Sequence, residues 1–87
     1  MSTIGAEMGQ LQQLGQTFSR EGQNVAQLTA AINSQVNTTW WKGPAADRFR
    51  SAWESEFAPM MRRLEAALQQ ASQEVGRRHD ALTQAGS

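Results

Sequence analysis

The sequence predicts an all-α protein: an antiparallel two-helix hairpin that pairs with a second hairpin into a four-helix bundle. Three observations lead there. Apolar residues recur every seventh position through the first half of the chain and at alternating intervals of three and four through the second, the spacing that lines one face of a helix. One sharp break, Trp40-Trp41-Lys42-Gly43-Pro44, separates the halves. The 87 residues hold no cysteine, so neither disulfides nor thiolate–zinc sites can staple so small a domain, and helix packing or a partner must.

The first helix is expected over residues 8–39. Its stripe runs through Ile4, Leu11, Phe18, Val25 and Ile32, with Leu14 and Leu28 in the intervening position of alternate heptads and Met8 and Val36 on a neighbouring row. Glu7, Glu21 and Gln35 stand where apolar residues would continue the pattern. Gly9, Gly15 and Gly22 interrupt the helix, each at a cost of about 1 kcal/mol relative to alanine. Gly15 and Gly22 share a row with Met8, Thr29 and Val36. That row has two readings: tolerated weakness, or close approach of a neighbouring helix.

The turn is expected at residues 40–43. Gly43 can adopt backbone conformations closed to other residues. Pro44 suits the first turn of a helix, where its missing N–H is not needed, and Asp47 falls where a negative charge favours the helix dipole. A second helix therefore spans about 44–83. Phe49, Trp53, Phe57, Met60, Leu64, Leu68, Ala71 and Val75 mark its face, with Met61 and Leu82 widening it. Pro59 removes one helical hydrogen bond and predicts a kink just before it. Residues 84–87 are expected to be a disordered tail. Each helix is about 45 Å long or more at 1.5 Å per residue, and the short connection makes the two antiparallel within a single domain.

The apolar arc of the second helix is wider than one neighbouring helix can hide. Left uncovered, it marks an interaction surface, and a second hairpin covers it by completing a four-helix bundle. The expected partner interface comprises Leu11, Leu14, Phe18, Val25, Leu28 and Ile32 from the first helix. The second contributes Phe49, Trp53, Phe57, Met60, Leu64, Leu68 and Val75. Arc width does not distinguish two identical chains from two different ones.

Several functions are excluded by composition. The formal net charge is zero, which argues against nucleic-acid binding, where a basic surplus displaces counterions, and against a polybasic membrane anchor. No apolar run approaches a membrane span, so membrane contact is not expected. The opening Met-Ser-Thr-Ile-Gly-Ala-Glu has neither a basic nor an apolar region of the secretory type, so a cleaved signal peptide is not expected. His79 is the only histidine. Asp80 beside it does not share its helix face, and a solvated side chain is expected. No Ser/His/Asp arrangement and no phosphate-binding glycine loop can be read. No catalytic residue, cofactor or metal is expected, and the chain is read as a non-enzyme. The pairs Arg62-Arg63 and Arg77-Arg78 lie close to Glu65, Glu74 and Asp80, the pattern of a solvated, salt-bridged face.

Three tryptophans remain. Trp53 is read as core. Trp40 and Trp41 are consecutive and point in different directions, so one should cap the bundle end and the other should be partly exposed, a natural contact anchor.

Trp41-Lys42-Gly43 in a turn between two helices, continued by Pro44-Ala45-Ala46-Asp47-Arg48-Phe49 and then Trp53, resembles the W-x-G, ESAT-like family of type VII secretion. The resemblance covers essentially the whole chain. It implies a virulence-associated protein exported as a folded dimer without a cleaved signal, cytoplasmic beforehand and secreted afterwards. It further implies a composite export signal read by a hexameric secretion ATPase. One subunit supplies the W-x-G turn, here Trp41 and Gly43 with Trp40 beside them. The other supplies a tail in which a tyrosine is followed four residues later by an acid. This chain departs from that second half: it has no tyrosine, and Arg77, Arg78 and His79 occupy the corresponding region. The departure favours a heterodimer with a second W-x-G hairpin that carries the tail signal, over a homodimer. The alternatives are a generic helical-bundle adaptor without a secretion role and a membrane-active virulence subunit; the missing cationic face weighs against the latter.

Overall fold

A computed structural model describes residues 3–86, with side chains from Gly5 onward. Helix α1 spans Thr3–Thr38 and α2 spans Pro44–Ala52. A π-helical turn, Trp53–Phe57, follows, and α3 runs over Ala58–Ala85. The last three segments form one continuous helix, and the molecule is a rod of 63 × 17 × 15 Å. Ile4, the first member of the expected stripe, and Ser87, the last of the expected tail, lie outside the described side chains.

Contacts between the helices show the antiparallel arrangement directly. Glu7 meets Arg78, Gly15 meets Ser72, Gly22 meets Gln69, Asn33 meets Trp53 and Val36 meets Arg50. As one partner's number rises the other's falls.

Glycine sets the closeness of this pairing at Gly22. A Cβ at Gly22 would stand 2.6 Å from Nε2 of Gln69 and 3.5 Å from Cβ of Leu68. A Cβ at Gly15 would stand 3.6 Å from Cγ1 of Val75, and Ser72 Oγ donates to the Gly15 carbonyl at 3.0 Å. The close-approach reading holds for Gly22, whereas at Gly15 a Cβ would make ordinary van der Waals contact. Gly9 has nothing within 4 Å of its Cβ position and is simply tolerated.

The boundaries differ from expectation at three ends. Helix α1 begins by Thr3 and ends at Thr38, not over 8–39. Helical structure persists through Ala85, beyond 83, because Gly86 N–H still donates to the Leu82 carbonyl at 3.0 Å. Gln84 and Ala85 are thus helical instead of disordered, and Gly86 forms a turn.

Pro59 acts through the π turn. Proline has no N–H for the Ser55 carbonyl, and its ring would press on that oxygen in a regular α-helix. The backbone widens instead: Ala58 N–H donates to the Trp53 carbonyl, five residues back. A π turn holds an extra residue and rotates everything after it by about one residue's worth of angle. The apolar series from Phe49 to Val75 is therefore not a single face. Buried Trp53 continues, eight residues on, into the half-buried row Met61, Leu68 and Val75 and into buried Leu82. Phe57, Met60 and Leu64 turn outward and are exposed. Ala46, Trp53, Ala58 and Leu82 are the buried apolar residues of this thin core.

His79, expected to be solvated, is half-buried, because it lies on the row Ala58, Glu65, Ser72, His79 that faces α1. Its Nδ1 is 3.6 Å from Asp80 Oδ1, beyond an ordinary hydrogen bond.

Candidate functional site

The hairpin tip is residues 39–43, between the end of α1 and the start of α2. Gly43 makes the turn with φ 116°, a value that favours glycine, and its carbonyl accepts from Asp47 N–H at 3.0 Å. Pro44 and Asp47 then occupy the first turn of α2.

Arg50, on α2, reaches back across this tip. Its Nη1 donates to the Trp41 carbonyl at 2.7 Å. Its Nη2 lies 3.3 Å from the Thr39 carbonyl and 3.4 Å from that of Val36. Its guanidinium carbon stands 5.8 Å from the centroid of the Trp41 ring, within cation–π range. The need is local. The last carbonyls of a helix lack partners within it and carry the negative end of its dipole, and α1 has no basic residue in its last turn. Arg50 supplies both the charge and the donors. Sequence reasoning missed it. The available signal was a first helix ending without Lys, Arg or Gly, followed by an arginine early in the next helix.

Aromatic rings join the tip to the core. Trp41 is tilted against Phe49 at 6.0 Å between centroids, and Phe49 stacks on Trp53 at 6.3 Å and 11°. Trp53 Nε1–H points to Asn33 Oδ1 at 3.4 Å, which gives the buried indole a polar partner; Asn33 too went unnoticed in the sequence. The two tip tryptophans differ in exposure. Trp41 is 40% exposed, tucked under Arg50 and Phe49, whereas Trp40 is 84% exposed.

An uncovered apolar face runs along the body of the hairpin. Leu14, Leu28, Phe57, Met60 and Leu64 are exposed. Each immediately precedes a residue directed into the helix–helix seam: Gly15, Thr29, Ala58, Met61 and Glu65. The same angular offset on two antiparallel helices points to the same side of the hairpin, so all five belong to one broad face. Glu7, Glu21 and Gln35 share the row of Leu14 and Leu28, which explains why polar residues fit there: that row edges the seam. Of the other residues read as partner interface, Leu11, Phe18, Val25, Ile32, Phe49, Leu68 and Val75 are half-buried. Trp53, 5% exposed, is occupied within its own chain.

Charged groups sit mainly at the edges. Glu7 Oε1 accepts from Arg78 at 3.1 and 3.2 Å, tying the two helices near their open ends. Glu21 accepts from Asn24 and from Arg20, each at 3.2 Å. The Asn24 bond, and after it Arg20, hold the Glu21 carboxyl below its ordinary pKa. Among the described residues no three His, Asp or Glu side chains are grouped to hold a metal, and no helix is long and apolar enough to cross a membrane.

The family model described as proteins of 100 residues with WXG matches residues 3–87. Searches of curated proteins and of solved structures gave no match.

Proposed function

The chain belongs to the WXG100 family, and on that premise we propose that it is a non-enzymatic type VII secretion partner. It pairs with a second W-x-G hairpin and contributes the turn half of a composite export signal. One observation carries the reading: the same hairpin displays a W-x-G turn at its tip and leaves an apolar face uncovered along its length.

The two parts have separate roles. The face of Leu14, Leu28, Phe57, Met60 and Leu64 is the surface for the second hairpin, since apolar side chains in water favour burial at about 25 cal/mol per Å². The tip, with Trp41 and Gly43 and with Trp40 projecting, is the surface for the secretion ATPase. The 87 residues hold no tyrosine, which supports a different chain as the source of the tyrosine-and-acid tail.

Two measurements test the reading. The protein's mass in solution is determined alone and mixed with a W-x-G chain of the same genome that bears such a tail. A one-to-one complex of two hairpins is expected; a stable monomer in both samples would refute pairing. Trp41→Ala is then followed for export. Its loss from the medium, with pairing intact, is the expected result, and undiminished export removes the role assigned to the turn.

A further inference from the structure

The tip backbone is held at its two ends and not across its middle. Outside the helices, among the described residues, Thr39 N–H donates back to the Gln35 carbonyl at 3.0 Å, and backbone hydrogen bonding resumes where Asp47 N–H donates to Gly43. The group that bridges the gap is Arg50. One planar guanidinium gathers the carbonyls of Val36, Thr39 and Trp41 and lies against the Trp41 ring. It thereby joins the last turn of α1, the tip and the last turn of α2 into one unit. A fork of fixed geometry suits this task, whereas a lysine ammonium is a point charge on a flexible stem.

We propose that Arg50 is the positioning residue of the W-x-G turn, holding Trp41 in one orientation for recognition during export. This rests on the export role proposed above. Recognition of a preordered segment does not bear the cost of ordering it at the moment of binding. Arg50 supplies that order from outside the motif. Phe49 supports the ring's other contact at 6.0 Å but makes no hydrogen bond to the tip, so it limits where the indole lies without fixing the backbone that carries it.

The test uses Arg50→Ala, Arg50→Lys and Trp41→Ala in the full chain. Amide exchange is followed by NMR at Thr38 and Thr39, with Val25–Thr29 as the internal reference. In Arg50→Ala, exchange at the end of α1 should rise about tenfold or more, as expected when hydrogen bonds to a charged donor are lost and the helix end opens locally. The reference amides should stay unchanged. The Trp41 indole N–H resonance should move while that of Trp53 stays in place, which a general loss of stability would not produce. Arg50→Lys should restore neither signal. Unchanged exchange and an unmoved Trp41 indole in Arg50→Ala, or full restoration by lysine, would overturn the clamp.

Export separates the clamp from the reading beneath it. Loss of export in both Trp41→Ala and Arg50→Ala is expected. Loss in Trp41→Ala with full export of a loosened Arg50→Ala would overturn the positioning role and leave the turn's role standing. Full export of Trp41→Ala would remove the turn's role, and with it the purpose assigned to Arg50, while the exchange data still decide whether Arg50 orders the tip.

Discussion

Ala58 donates its backbone N–H to the carbonyl of Trp53, five residues back instead of four, and this bond divides one apolar series into two faces. Before it, Phe49 and Trp53 point toward α1. After it, Met61, Leu68, Val75 and Leu82 take over that role, and Phe57, Met60 and Leu64 face outward.

The π turn can therefore be removed by design. Deleting Glu54 makes the turn one residue shorter and restores the seven-residue spacing between Trp53 and the Met61 row. Combined with Pro59→Ala, the deletion should keep helicity and give a thermal midpoint at or above that of the unaltered chain. The deletion alone leaves proline inside a regular helix and should lose about 3 kcal/mol. Circular dichroism melting of both variants measures the difference. Equal stability of the two would show that Pro59 does not set the turn.

The glycines of α1 should respond in opposite ways to small and large side chains. Gly15→Ala meets Val75 at an ordinary van der Waals distance of 3.6 Å and should stabilise by up to about 1 kcal/mol through helix propensity. Gly22→Leu cannot fit beside Leu68 and Gln69 and should destabilise by about 1–3 kcal/mol through overpacking. Denaturant unfolding distinguishes the two.

Two classes of apolar substitution should separate along the same helix. Phe57→Ser and Met60→Ser act on exposed side chains, so the melting of a single hairpin should change by no more than about 0.5 kcal/mol, while association with a second hairpin weakens. Leu68→Ala acts in the half-buried seam and should lower hairpin stability by about 1–2 kcal/mol, less than a fully buried leucine would lose. Melting and sedimentation on each variant give both readouts.

The Glu21 carboxyl titrates below its ordinary value because Asn24, and then Arg20, bond its charged form. A pKa depressed in the folded state gives stability above the unfolded pKa and loses it as the pH falls through the folded one. The carboxyl is exposed, so the shift belongs to a local titration curve and not to acid unfolding. Asn24→Ala should move the Glu21 midpoint up toward the ordinary glutamate value. A carboxyl-carbon NMR titration measures it, and an unmoved midpoint would assign the depression to Arg20.

By itself the sequence determined the helices, their break and the chemistry of the turn. Heptad spacing, the Gly43-Pro44 step and the W-x-G residues act locally, through backbone conformation and helix periodicity, and such effects are legible along one dimension. The tertiary structure decided which apolar residues face inward. That outcome depends on helical phase, and phase is shifted by the π turn before Pro59, where Ala58 N–H bonds the Trp53 carbonyl. Arg50 was likewise invisible from spacing, since its three carbonyl partners lie nine to fourteen residues upstream and come within reach only when the hairpin closes. The turn that names the family is written in Trp41 and Gly43; the contacts that hold it in place come from the helix that follows.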